Sequence, residues 1–263
     1  MGSLNVHGTR PRSPIVLAHG LFGFERIGFG PLTLARYFRA LPDELRAAGS
    51  RVLVTKVHPT AAVRRRGQIL GARIEAAFGR EPVHVVGHSM GGLDARSLLA
   101  EPGWGEGRVL SLTTVGTPHL GSFLADIAEV NMSGIYHILR HAGWDHGGFL
   151  DITTDRARRW HEETPAPSGV PCYSVAGDPA SGEICGPMRR WHALLERVEG
   201  ANDGVVSVAS ALAFGEPLPS WPVDHLRQLG WLCGPARGDR LRRIYGLWAG
   251  LVERLAEAER VMA

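Results

Sequence analysis

The segment Val83-His84-Val85-Val86-Gly87-His88-Ser89-Met90-Gly91-Gly92 constrains this chain more than any other. It runs from an apolar, β-branched stretch that reads as a buried strand straight into a pattern that reads as a helix over residues 90–100. The join holds Gly-x-Ser-x-Gly, so the chain has one tight turn in which to reverse. Glycines two residues either side of Ser89 let strand and helix approach without a Cβ clash, and the serine backbone at the apex is strained. Such a turn lifts the hydroxyl above a sheet edge at the amino end of a helix, where backbone amides favour developing negative charge. This context marks Ser89 as a nucleophile rather than an ordinary turn serine.

The remaining pattern supplies a sheet for that turn. Residues 15–18, 51–57, 82–87, 108–115 and 170–177 read as strands. Helices are expected near 34–48, over 68–78 ending at Gly79, over 155–163 and over 241–259. The last carries Leu241, Ile244, Leu247, Trp248, Leu251, Val252 and Leu255 on one stripe. Strands alternating with helices predict an α/β fold with a doubly wound, mostly parallel sheet and its functional loops at the carboxyl ends of the strands. One domain over residues 1–263 is expected. Residues 121–148 fit this scheme least and read as an excursion from the sheet.

Charge and cysteine usage exclude several classes. The 263 residues carry 29 Lys+Arg against 26 Asp+Glu, a formal net charge of +3, and Lys56 is the only lysine. A charge this thinly spread does not suit nucleic-acid binding. The one dense run, Arg64-Arg65-Arg66, reads as a solvated face. No stretch has the length and apolarity of a membrane span. The first eight residues lack the plan of a secretory signal, which leaves either an intracellular protein or one whose leader was removed. Cys172, Cys185 and Cys233 allow one disulfide with one thiol over, and their spacing fits no zinc motif. His137 and His141 would sit i, i+4 on a helix, but with Asp145 and His146 they read as surface residues rather than a metal site.

A serine nucleophile needs a base held by an acid, in the order Ser, acid, His for this fold. His225 is the one histidine beyond residue 192, and it lies in a loop before the last helix. Asp203, in Asn202-Asp203-Gly204, is the preceding acid. Asp224 adjoins His225, and side chains of sequence neighbours diverge, which makes it the poorer partner. His192 with Asp178 or Glu183 is the alternative pair, although His192 fits a helix face better. After the first strand, His19-Gly20-Leu21 can turn the backbone so that the Leu21 amide joins that of Met90 in an oxyanion hole, with His19 as scaffold.

Together these segments resemble the bacterial true lipases of family I, the type secreted by pseudomonads. The resemblance runs through Ala18-His19-Gly20-Leu21, Gly87-His88-Ser89-Met90-Gly91-Gly92, Gly116-Thr117-Pro118-His119-Leu120-Gly121-Ser122, Leu150-Asp151-Ile152-Thr153-Thr154, Asn202-Asp203-Gly204-Val205-Val206-Ser207 and Asp224-His225-Leu226. It implies an α/β-hydrolase fold with helices on both faces and a helical lid at 121–148. It also implies hydrolysis of long-chain acyl esters, with a lipid or ester substrate met at an oil–water interface. Carboxylesterase, acyltransferase and polyester hydrolase remain alternative uses of the same residues, and a non-catalytic binding module is the rival from another class. By matching position the resemblance gives Ser89 as nucleophile, Asp203 as acid, His225 as base, and Leu21 and Met90 as oxyanion donors. No cofactor is expected. Relatives hold a structural calcium with an acidic ligand two residues after the histidine. Arg227 stands there, so an arginine paired with a carboxylate of the 178–183 region is expected to replace the ion.

Overall fold

The computed structural model describes residues 10–21, 27–29, 32–105, 107–131, 145–231 and 237–262. In chain order the elements begin with β1 (Ile15–Ala18), β2 (Ile27–Phe29), β3 (Leu32–Ala35), α1 (Leu41–Ala47), β4 (Val52–Val54), α2 (Val63–Phe78), β5 (Val83–His88), α3 (Met90–Leu99) and β6 (Val109–Val115). A helix over residues 123–131 (α4) follows, then α5 (Gly147–Asp151), α6 (Thr154–Glu163), β7 (Cys172–Val175), α7 (Arg189–Val198), α8 (Val208–Ala211), β8 (Glu216–Pro217) and α9 (Arg237–Met262). Six strands form one sheet in the order β4-β1-β5-β6-β7-β8, every pair parallel, while β2 and β3 form a separate antiparallel pair.

Period-two alternation decides which helices cover which face. Ile15 and Leu17 of β1, Val86 of β5 and Val115 of β6 pack with Leu41 and Leu45 of α1 and Ile244, Trp248 and Leu255 of α9. Val16 and Ala18, with Val85 and Leu112, face the other way onto Leu70 and Ile74 of α2 and Leu98 of α3. Both faces of the central strands are thus buried, as a parallel sheet requires. The apolar stripe expected on the last helix is the stripe that packs.

Local readings shift where tertiary contacts intervene. The helix expected near 34–48 shrinks to Leu41–Ala47, with Leu32–Ala35 as strand. Pro42 suits a first turn, not a helix interior, and Arg39 before it takes a positive φ of 51°. Conversely α2 begins five residues before the expected 68, because the carboxylate of Asp151 accepts the Val63 amide at 2.7 Å and caps it from outside the helix. In the 121–148 excursion, residues 132–144, with His137 and His141, lie outside the described residues.

Candidate active site

Ser89 sits between β5 and α3 with φ +55° and ψ −133°, a conformation that L residues rarely adopt. The surroundings hold it there. Its amide donates to Val115 O at 2.9 Å and its carbonyl accepts from Thr117 Oγ1 at 2.8 Å. A Cβ on Gly91 would lie 2.3 Å from Ala18 O, so glycine is required where α3 crosses the end of β1.

The His19–Leu21 turn is fixed from two sides. The Gly20 amide donates to Tyr37 Oη at 2.9 Å. The Gly20 carbonyl faces Arg66 Nη2 at 3.2 Å and His19 Nδ1 at 2.9 Å. Across one trans peptide the C=O and N–H point in opposite directions, so the Leu21 N–H is turned away from Arg66. Among the described residues nothing accepts a hydrogen bond from it. Met90 opens α3, where amides have no partner within the helix. Burial drives the His19 pKa down to about 4, so this ring is neutral scaffold.

Arg66 is the main correction to the sequence reading. It is fully buried, not part of a solvated face, and pairs with fully buried Asp94 on α3. Nε lies 2.9 Å and 3.0 Å from the two carboxylate oxygens, and Nη2 adds a 2.8 Å bond. The same guanidinium donates to the carbonyls of His19 at 2.8 Å and His58 at 2.6 Å. It therefore joins the loop after β1 to the helix behind Ser89. Helical spacing was the available signal: Arg66 shares its face of α2 with buried Leu70 and Ile74, while Arg64 and Arg65 point to solvent.

On the other side, Asp203 and His225 are brought together. His225 Nδ1 lies 2.7 Å from Asp203 Oδ2, and both residues are buried. The carboxylate is fully engaged: Oδ1 accepts the amides of Val205 at 2.9 Å and Val206 at 2.8 Å, and Oδ2 also accepts Gln228 Nε2 at 2.9 Å. Asp224 turns elsewhere, accepting the amides of Cys185 and Arg227. The alternative pair does not form, since Asp178 is exposed, Glu183 pairs with arginines, and His192 lies buried on α7.

Arg227 makes the expected pair with a carboxylate of the 178–183 region. Only 4% exposed, it pairs with Glu183 at 3.4 Å and Asp224 at 3.5 Å. Cys185 beside it is disulfide-bonded, and Cys172 is a free, buried thiol. His146 is buried, against the surface reading, and no cluster of three or more metal-ligating side chains occurs among the described residues.

Ser89 and His225 open on one cleft of about 620 Å³. Its walls are almost wholly apolar, with Leu21, Phe149, Ile152, Val205, Leu229 and Trp231 among them. Such a cleft fits an uncharged, largely hydrocarbon ligand.

A family described as the alpha/beta hydrolase fold matches residues 66–136. The chain is 26% identical to the mature Bacillus licheniformis lipase BlEst2, with a TM-score of 0.65 over 83% of this chain and 86% of that one. Staphylococcus hyicus lipase aligns over 96% of this chain and 98% of its own, with a TM-score of 0.73 at 18% identity. The fold is that of the α/β hydrolases. A triacylglycerol lipase of Vibrio cholerae is 39% identical over 126 residues, 46% of this chain. The chain spans only 37% of that relative's length. The yeast triacylglycerol lipase 2 is 26% identical over 84% of this chain and 81% of its own. In an α/β hydrolase the nucleophile follows a central strand and the histidine comes last. Here Ser89 follows β5, and Asp203 and His225 follow β7 and β8.

Proposed function

We propose that the protein is a carboxylic ester hydrolase of the triacylglycerol-lipase type, with Ser89 as nucleophile, His225 as base and Asp203 as acid. The 2.7 Å bond from His225 to buried Asp203, at a cleft that also holds strained Ser89, carries this reading. His225 takes the hydroxyl proton as Ser89 Oγ attacks the ester carbonyl. Asp203 holds the imidazole in orientation and stabilises its cation. The amides of Leu21 and Met90 receive the oxyanion, and His225 then protonates the departing alcohol. Water repeats the sequence on the acyl enzyme.

The apolar cleft and the names of the relatives support an acyl glycerol as substrate. The pseudomonad-type kinship, and a lid over 121–148 that opens at an interface, belong to the same proposal. No metal is invoked, since Arg227 and its two carboxylates supply a brace beside His225. The test is a rate series with short and long p-nitrophenyl esters and emulsified triglyceride. The reading expects Ser89→Ala and His225→Ala to lose about 10⁴-fold or more, and Asp203→Asn somewhat less. A preference for short monomeric esters with no gain on the emulsion would assign an esterase instead.

A further inference from the structure

Behind the triad lies a set of polar side chains that the mechanism above does not use. The Gly20 amide donates to Tyr37 Oη at 2.9 Å, and Tyr37 Oη lies 2.8 Å from His88 Nδ1. His88 Nε2 lies 3.0 Å from Gln228 Oε1 and 3.2 Å from the His225 carbonyl. Gln228 Nε2 donates to Asp203 Oδ2 at 2.9 Å. These contacts cross about 200 residues of sequence, yet they form one unbroken path from the oxyanion loop to the triad carboxylate.

The direction of every hydrogen in this path is determined. Asp203 is acceptor-only when ionised, so Gln228 turns its NH₂ to Asp203 and its oxygen to His88. His88 Nε2 then faces two carbonyl-type oxygens and must carry the hydrogen. Burial, with the charge of His225 against it, holds His88 neutral, its pKa well below the usual imidazole value. Nδ1 is therefore an acceptor, and the Tyr37 hydroxyl donates to it while accepting from Gly20. Reversing any one group sets two acceptors or two donors face to face at the next. The titratable groups against His88 are Tyr37, which belongs to the path, and His225, whose ring lies beside it.

The fold makes room for the path and pins it. A Cβ on Gly116, whose φ is +57°, would lie 2.5 Å from Gln228 Oε1, and one on Gly177 would lie 2.4 Å from Gln228 Nε2. Two indoles hold the backbone at its ends: Trp248 Nε1 donates to Gln228 O at 2.8 Å and Trp231 Nε1 to Tyr37 O at 2.9 Å.

We infer that Tyr37, His88 and Gln228 are positioning residues, a one-way hydrogen-bond path that sets the oxyanion loop and the Asp203–His225 pair against one another. The inference rests on reading Ser89, Asp203 and His225 as the triad. Its function is to keep one donor on Asp203 Oδ2 beside His225, which fixes the carboxylate and tempers the negative charge that the imidazolium meets. Removing that donor leaves more charge for His225, so the imidazolium is favoured and the acid limb of the rate profile moves up.

The test compares Gln228→Met, Tyr37→Phe and the double variant with the unaltered protein. Labelling by a fluorophosphonate is measured first. If the unaltered protein takes no label, the serine-hydrolase reading fails, which is separate from failure of the path. With labelling present, each single variant is expected to lose about tenfold in kcat, and Gln228→Met, which removes the donor from Asp203, to raise the acid limb of kcat/KM by about half a unit. The double variant is expected to be no worse than the weaker single, because both break the same path. The downfield proton resonance of His225 Nδ1–H is expected to move in all three, which reads the path in folded protein even where turnover is low. Losses that multiply in the double variant, or an acid limb and resonance that stay in place, would overturn the inference.

Discussion

The two halves of the candidate site are braced by an arginine each, and the two braces differ. On the nucleophile side, Arg66 and Asp94 are both fully buried, and the guanidinium is held by a carboxylate and several carbonyls at once. On the base side, Arg227 is buried, but Glu183 keeps more than a third of its side-chain surface in water and the contacts are longer. The first brace joins a loop to helix α3 behind the sheet, and the second joins loops to loops. The nucleophile side is thus rigid through secondary structure, and the base side through side-chain bonds between connecting segments. Water at Glu183 weakens its contact with Arg227, so that brace depends on more modest contacts than the pair at Arg66.

The sharpest way to break this comparison is to remove Arg66. Arg66→Met leaves the Asp94 charge buried and unpaired, an expected loss of about 3–5 kcal/mol in denaturant unfolding. Adding Asp94→Leu is expected to recover most of that stability but not the turnover, because the His19 and Gly20 carbonyls no longer meet the guanidinium. Full recovery of turnover in the double variant would make Arg66 a packing residue only.

Arg227→Ala is expected to cost less, about 1–3 kcal/mol, because Glu183 is partly solvated and Asp224 keeps its two amide donors. A chelator is expected to change neither activity nor melting temperature. Loss of activity in chelator, restored by calcium alone, would show that a metal rather than Arg227 braces the His225 loop.

Acid is expected to act on both halves. His19 and His84 have pKa values lowered to about 4, and burial holds His88 and His119 well below the usual value. Groups depressed in the folded state take up protons mainly on unfolding once pH falls below about 6.5. Stability should therefore be intact above that pH and fall steadily toward pH 4, by up to about 1.4 kcal/mol per pH unit for each histidine. Urea titrations across this range measure the slope. His84→Phe, on the sheet and outside the site, is expected to flatten it by one histidine's share without altering the rate.

The smallest expected effect on stability is at Ser89 itself. Glycine tolerates its φ at no steric cost, so Ser89→Gly is expected to be inactive yet more stable, by about 1 kcal/mol.

The same contrast explains what could be read in advance. The turn at Ser89 is local chemistry, with strand, glycines and helix adjacent in sequence, and the parallel sheet follows from alternation alone. That Asp203 and His225 meet could be read from chain order and resemblance, because the fold reuses one sequence of roles. Arg66, Tyr37 and Gln228 carried no such mark. Their partners lie tens to hundreds of residues away, and a buried arginine beside two exposed ones is betrayed only by helical spacing. The hairpin of β2 and β3 went unread because strands of three and four residues are too short for periodicity to separate strand from helix.

The strained backbone at Ser89 has a consequence for the history of such a chain. With Ser89 as the proposed nucleophile, stability and turnover make opposite demands at that one position. A screen that rewards only soluble, heat-resistant protein would retain glycine there and return a well-folded molecule with no hydroxyl. Heat resistance selected in this scaffold must therefore be scored alongside ester turnover, or the first improvement found is the one that ends the chemistry.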